Sequence, residues 1–173
     1  MEREFTRSRE TEAKLPDFYE STMKFYAERR NMYATGKVVI KGSERPWEKT
    51  RQAILKHFFH HDMGDSACRD WLFFQQDIRS KSGKHRHQGG LCIYVVEGKG
   101  WTTVDEVRHD WEEGDLILLP IKPEGVVHQH FNAEPGKSCI WLAMIYLPWV
   151  NAFGNELEQK EAAPDWEKLQ QHA

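Results

Sequence analysis

An all-β barrel with a helical extension at its N-terminal end is the fold class the sequence predicts, on three observations. From about Trp47 to Trp149, short β-rich runs such as LCIYVVEG, DLILLP and VVHQHFN alternate with glycine, proline and aspartate. No helical pattern of about 12 residues separates those runs, which argues against a doubly wound α/β fold. Ahead of them, from about Arg9 to Met32, glycine is missing, and Leu15, Phe18, Tyr19, Met23, Phe25 and Tyr26 recur at helical spacing.

These observations divide the chain into three parts. Residues 1–46 read as a helical extension of one or two amphipathic helices. Pro16 opens the second of them and Gly36 ends it, and the segment is expected to serve as a packing or oligomerisation arm. Residues 47–149 form the barrel. Its strands are expected in CRDWLFFQQDI, LCIYVVEG, the hairpin GWTTVDEVRHDW, DLILLP, VVHQHFN and SCIWLAMIYLP. Residues 150–173 are polar and read as a surface tail with a short helix.

Bulk properties narrow the function classes. At 173 residues the chain can bury a real core as one domain. A formal charge of −3, spread without a basic stripe, gives no electrostatic support for nucleic-acid binding. No apolar run approaches the roughly 20 residues that span a bilayer. MEREFTRSRETEAK is charged and lacks the apolar centre of a signal peptide, so a cytoplasmic location is expected. The three cysteines, Cys68, Cys92 and Cys139, show no CxxC spacing and read as reduced thiols. Cys92 and Cys139 sit in apolar runs, where a thiol acts as a small hydrophobe.

The chemistry concentrates in KHRHQGGLCIYVVEGKG, residues 84–100. On a strand, His85 and His87 project to one face while Arg86 points away, and the same parity runs on to Leu91, Ile93 and Val95. A second cluster lies in PEGVVHQHFN, where Val126, His128, His130 and Asn132 share a face. Buried polar side chains need partners, and one metal ion serves several imidazoles at once. KHFFHHDM offers a further group, His57, His60, His61 and Asp62. His57 and His61 share strand parity while His60 opposes them, so this stretch reads as an exposed edge or barrel-rim segment.

Residues from about 75 to 147 resemble a cupin, a small β-barrel. The first motif of that family pairs HxH with a Glu, then six residues and a Gly, and it is matched at His85, His87 and Gly98. The second is matched at Gly114, Asp115, Pro123, Gly125, His128 and Asn132. There are two departures. Arg79 stands where a glycine usually precedes the first histidine, and Leu91 stands at the position of the metal-binding Glu. The resemblance therefore implies His85, His87 and His128 as metal ligands, without a carboxylate.

Three neutral imidazoles leave a divalent ion its full charge, and an anionic bidentate ligand then supplies the missing negative charge. The resemblance, including the HRH pair shared with gentisate dioxygenases, implies a non-haem Fe(II) dioxygenase of aromatic compound catabolism. Such an enzyme cleaves a ring or C–C bond of a small chelating substrate such as a gentisate, a salicylate or a β-diketone. Imidazole suits several metals, so Zn, Ni and Mn stay open. An oxygen-independent isomerase, lyase or decarboxylase, or a non-catalytic small-molecule binder, stays open too. Partners are then a small-molecule substrate and O2, with no nucleic acid and no membrane, and the resemblance implies a homodimer. His130 is assigned as catalytic, as a proton shuttle or as a hydrogen-bond donor to bound substrate, with a satisfied interior histidine as the equal alternative. Gln75, Leu91, Trp141 and Tyr146 are assigned to the substrate pocket, with one of Gln75 and Gln76 facing inward. Arg69 and Arg79 are candidates for binding a substrate carboxylate, and Asn132 is expected to fix a loop.

Overall fold

The computed structural model describes residues 16–170. After helix α1 (Phe18–Thr35) come strands β1 (Glu48–Lys49), β2 (Ile54–Phe59), β3 (Trp71–Asp77), β4 (Lys84–His87), β5 (Leu91–Glu97) and β6 (Lys99–Val104). They are followed by β7 (Val107–Glu112), β8 (Leu116–Leu119), β9 (Val126–Asn132), β10 (Ile140–Tyr146), α2 (Leu147–Ala152), β11 (Glu158–Glu161) and α3 (Pro164–Gln170). Two antiparallel sheets result, ordered β1-β2-β3-β10-β5-β8 and β11-β4-β9-β6-β7. The all-β reading holds, and each of the six runs expected to contain a strand does so.

The sheets face each other across a core in which alternate residues point inward. Phe74, Ile78, Leu91, Ile93, Val95, Ile117, Leu119, Trp141 and Ala143, joined by Trp111 of β7, form its apolar cluster. The five-stranded sheet supplies a polar interior instead: His85 and His87 from β4 and His128, His130 and Asn132 from β9 are all buried. The parity that joins His85 and His87 to Leu91, Ile93 and Val95 crosses from one sheet to the other. The chain changes sheets at Gly89 and Gly90, both at positive φ (82° and 71°). A Cβ on Gly89 would lie 1.9 Å from the Pro120 carbonyl oxygen, so only glycine fits.

Helix α1 starts where the sequence places it. The Asp17 side chain caps the backbone N–H groups of Tyr19 and Glu20, and Gly36 ends the helix. No residue of α1 is buried, however; Phe18, Tyr19, Met23, Phe25 and Tyr26 all stay exposed. Its side-chain hold on the barrel is Asp70, which accepts from Arg29 and from the Tyr33 hydroxyl (2.7 Å). Leu15, the first of the expected apolar positions, lies outside the described residues.

The segment after Trp149 departs from the expected surface tail. Strand β11 pairs antiparallel with β4, and so covers the edge that carries His85 and His87. The physical reason lies in Arg86, the outward residue between the two histidines. Its guanidinium donates to Glu158 (2.9 Å), to Glu156 (3.2 Å) and to the Glu124 carbonyl (2.6 Å). Polar strands with charges on their outer face read as loops in sequence, yet here those charges zip one edge strand onto another.

At Gly100, inside β6, an added Cβ would meet the Phe131 carbonyl oxygen at 2.0 Å and the Trp111 ring at 2.6 Å. Gly100→Ala is therefore expected to cost roughly 3 kcal/mol through forced displacement of β9 or Trp111. Denaturant unfolding checks this, and an unchanged midpoint would contradict the packing described.

Candidate functional site

Strands β4 and β9 pair in a register that sets His85 opposite His128. Their rings meet edge to face with centroids 4.2 Å apart, and those of His87 and His128 are 4.8 Å apart. One ring nitrogen from each of His85, His87 and His128 lies within 4.8 Å of the other two. The three residues that the motif singled out are thus brought together in the barrel interior.

Burial decides their charge. Transferring an imidazolium into this interior is costly, so burial, with His87 nearby, holds His85 down at about 4. Burial alone does the same to His87, at about 4. His128 is driven well below its ordinary value by burial and then by the neighbouring imidazoles. The rings are therefore neutral at neutral pH and offer lone pairs. In His128, Nδ1 faces the Val126 carbonyl at 3.3 Å, which places the ring proton there and leaves the buried Nε2 as a free lone pair. His85 Nδ1 is likewise buried without a hydrogen-bond partner. His87 Nδ1 accepts from Gly89 N–H (2.9 Å). A cation on its other nitrogen would require the ring proton to move to Nδ1 and that hydrogen bond to break.

His130 lies one step deeper and is fully buried. Trp111 Nε1–H donates to the Thr102 hydroxyl (2.9 Å), and that hydroxyl stands 2.7 Å from His130 Nδ1. A hydroxyl that accepts the indole proton and donates its own to Nδ1 leaves the His130 proton on Nε2. That Nε2 has no partner, and burial holds the ring at about 3. His130 is thereby a neutral N–H donor at physiological pH and not an imidazolium acid.

A cavity of about 350 Å³ opens onto His85 and His87, while His128 and His130 lie behind them, off its lining. His85, His87, Gly89 and Leu91 form part of its lining, with apolar walls from Leu72, Phe74 and Ile145. Of the residues assigned to the pocket from sequence, Leu91 lines it, and the other three lie elsewhere. Gln75 faces away; its neighbour Gln76 points inward and is fully buried with both amide ends unpartnered, because the inward parity of β3 runs through Phe74, Gln76 and Ile78. Trp141 sits in the interior against His130 (4.9 Å between centroids) and Phe74 (6.0 Å), outside the cavity wall. Tyr146 is exposed at the end of β10 and packs on Trp71.

Arg69 and Arg79 are both exposed, and Arg79 pairs with Asp77; neither lines the cavity. Asn132 does fix a loop. Its amide donates to the Ile78 and Lys137 carbonyls, both at 3.0 Å, and its oxygen accepts from Glu134 N–H. Cys139 is buried, its thiol pushed up to about 12 by burial.

Sequence reasoning missed two groups of lining residues. Asn151, Asn155 and Leu157 come from the C-terminal segment, where Asn155 accepts from Gln88 N–H (3.1 Å). His57, His60 and His61 come from the end of β2 and the turn after it. The histidine run itself was the signal for the second group; no local pattern marks the first.

Fold and site define a cupin-type jelly roll. Residues 75–145 match the protein-family model described as a cupin domain. A gentisate 1,2-dioxygenase of a Streptomyces species is 35% identical over 74 residues, which are 42% of this chain and 20% of that protein. The chain thus spans about a fifth of the length of this curated relative. The salicylate 1,2-dioxygenase of Pseudoaminobacter salicylatoxidans in its adduct with gentisate superposes with a TM-score of 0.52 at 20% identity, covering 79% of this chain and 36% of that one. A cupin-like protein from Thermotoga maritima superposes with a TM-score of 0.51 at 16% identity, covering 75% and 92% of the two chains. Both superpositions bear on the fold. Among the described residues, no helix is long and apolar enough to cross a membrane.

The neutral histidines give a pH prediction. In the unfolded chain they take up protons near their ordinary value of 6.5, whereas His85 and His87 resist protonation until about 4 in the folded state. The unfolded state therefore binds more protons as pH falls from about 6.5 to 4, and stability is lost over that window and recovered above it. Each ring accounts for on the order of 3 kcal/mol at the lower end. The metal-free protein is expected to show this slope in urea unfolding at stepped pH. A His85→Gln, His87→Gln variant should reduce it, leaving the share of His128 and His130, whose rings burial also holds neutral, and equal slopes in the two proteins would count against buried neutral imidazoles at positions 85 and 87.

Proposed function

We propose that the protein is a non-haem Fe(II)-dependent dioxygenase that cleaves a ring or C–C bond of a chelating aromatic or dicarbonyl substrate. In this reading His85, His87 and His128 hold the metal. The observation that carries it is the convergence of three neutral imidazoles, two of them with orphaned buried ring nitrogens, with Leu91 in place of a carboxylate. Such a donor set suits a divalent transition ion and leaves its charge unneutralised. The partial likeness to a gentisate 1,2-dioxygenase supports the reaction class. Bound Fe(II) supplies open coordination positions at which a chelating substrate and O2 are activated together.

The chain's own residues do the rest. Leu72, Phe74, Leu91 and Ile145 flank the cavity with apolar surface, which accepts a flat ring and keeps water from the donor atoms. In this reading His130, beside His128 and off the cavity lining, keeps its proton on Nε2 through the Trp111–Thr102 relay and offers that N–H within the buried cluster. Gln76 adds an amide that can donate or accept at the same depth. A substrate carrying its own negative charge is selected because the donor set brings none. A cytoplasmic, homodimeric enzyme is part of the same proposal.

Metal analysis of anaerobically purified protein, followed by oxygen uptake with gentisate, salicylate and β-diketones, tests the reading. Stoichiometric iron and substrate-dependent O2 consumption are expected, and His128→Ala should lower metal affinity by at least about tenfold. Full turnover under strict anoxia would sink it. Turnover with zinc, nickel or manganese and no O2 consumption would move the protein to an isomerase, lyase or decarboxylase class.

A further inference from the structure

The histidines near the end of β2 form a second group of donors at the same cavity. His57, His60 and His61 line it together with His85 and His87. One ligand atom from each of His60, His61 and Asp62 lies within 4.8 Å of the other two. Asp62 Oδ2 stands 3.4 Å from His60 Nδ1 and 3.5 Å from His61 Nε2. Ligand atoms held at about 2.1 Å around a tetrahedral ion are separated by about 3.4 Å. The two spacings suit atoms that share one ion, and a cation on His60 Nδ1 would displace the hydrogen bond that this nitrogen accepts from Asp62 N–H.

Hydrogen bonding within the cluster leaves this arrangement unbalanced. Asp62 N–H donates to His60 Nδ1 (3.3 Å), so that nitrogen acts as an acceptor. In the neutral ring it then faces the carboxylate oxygen with lone pair against lone pair. Burial, with His61 beside it, lowers the His60 pKa and keeps the ring neutral near pH 7. Burial and His60 do the same to His57.

The surrounding charge is negative. Asp62 is exposed, Glu48 on β1 acts electrostatically on both His57 and His60, and the cavity lining contains no lysine or arginine. Lys56 on β2 is drawn aside over the Trp47 ring (4.5 Å). Phe74, which packs on His57 from β3, is uncharged. Neutral imidazoles and a carboxylate in a negative setting favour a cation over an anion.

We propose that His60, His61 and Asp62 bind a second divalent transition-metal ion, with zinc or nickel as the fitting chemistry, at the mouth of the cavity. The ring of His57, 5.5 Å from that of His60, stands beside it as a further donor. The donor set is borderline in softness and partly solvent-facing, so water completes the shell and the ion exchanges readily. This site stands independently of the buried histidine trio.

Zinc titration of the metal-stripped, full-length protein by calorimetry at neutral pH tests it. Wild type is expected to take up two equivalents. A His60→Gln, His61→Gln, Asp62→Asn variant should lose one of them, with at least a tenfold drop in affinity at that step. A His85→Gln, His128→Gln variant should lose the other and keep the mouth equivalent. Because His61 and Asp62 are exposed and His60 is only half-buried, circular dichroism should show the first variant folded. Unchanged stoichiometry and affinity in the mouth variant would overturn the proposal, as would a wild type that binds only the equivalent lost with His85 and His128. A single equivalent lost with the mouth residues alone would support the mouth site and remove the buried one.

Discussion

Four imidazoles share the interior of this barrel with no carboxylate among them, and much of the molecule is arranged around that fact. An isolated buried imidazole can stay neutral and satisfy both nitrogens by hydrogen bonds. Here that solution is available to only part of the set. His130 is half-satisfied through Thr102, and His128 through the Val126 carbonyl, while His85 Nδ1, His128 Nε2 and His130 Nε2 find nothing. Each such orphan costs roughly 1–3 kcal/mol. With native stability of only about 5–15 kcal/mol, three orphans on one face are a large standing cost. A ligand that meets several of them at once recovers it, which is the thermodynamic reason to read the cluster as a site and not as packing.

The scaffold spends its most rigid features on holding those rings. His85 and His87 sit on a four-residue strand that would be an exposed edge without β11. The paired strand and the Arg86 clasp fix its twist, and the Gly89–Gly90 crossing sets where the chain leaves for the opposite sheet. On the other side, β9 is stitched to β6 and to the loop before β4, with His130 N–H donating to the Ser82 hydroxyl and the Gln129 amide to the Ser82 carbonyl. Ring positions are thus set by backbone pairing on both strands.

How much of this was legible in the sequence follows from the range of the interactions involved. Strand parity is local, so it groups His85 with His87 and His128 with His130, because two residues on the side chain returns to the same face; the choice of His85, His87 and His128 as ligands rests on the resemblance to the cupin motifs. Gln76 and not Gln75 faces inward because β3 is fixed by pairing with β2 and β10, a choice that no residue in the QQ pair announces. Tyr146 and Trp141 were placed by residue type, and aromatic type says nothing about which side of a strand end reaches the cavity. The C-terminal strand was invisible for a sharper reason. EQKE has no apolar face, and its pairing depends on Arg86, more than seventy residues away.

The histidine run at positions 57–61 is partly exposed beside the cavity, in keeping with a rim segment, but parity does not describe how its rings sit. Judged by parity, its rings diverge, and that would hold if the strand continued. In the structure β2 ends at Phe59 and the chain turns, so parity stops applying at the residues that matter. His60 and His61 swing to within 4.0 Å of each other, ring to ring, and the carboxylate of Asp62 comes round to both. A cavity that carries imidazole nitrogens at its floor and again at its mouth has, among the described residues, no lysine or arginine on its lining to draw an anion. In the proposed reading, cations bound at the two histidine groups supply its positive field. The polarity of its ligand is in that sense set by metal occupancy more than by the protein surface.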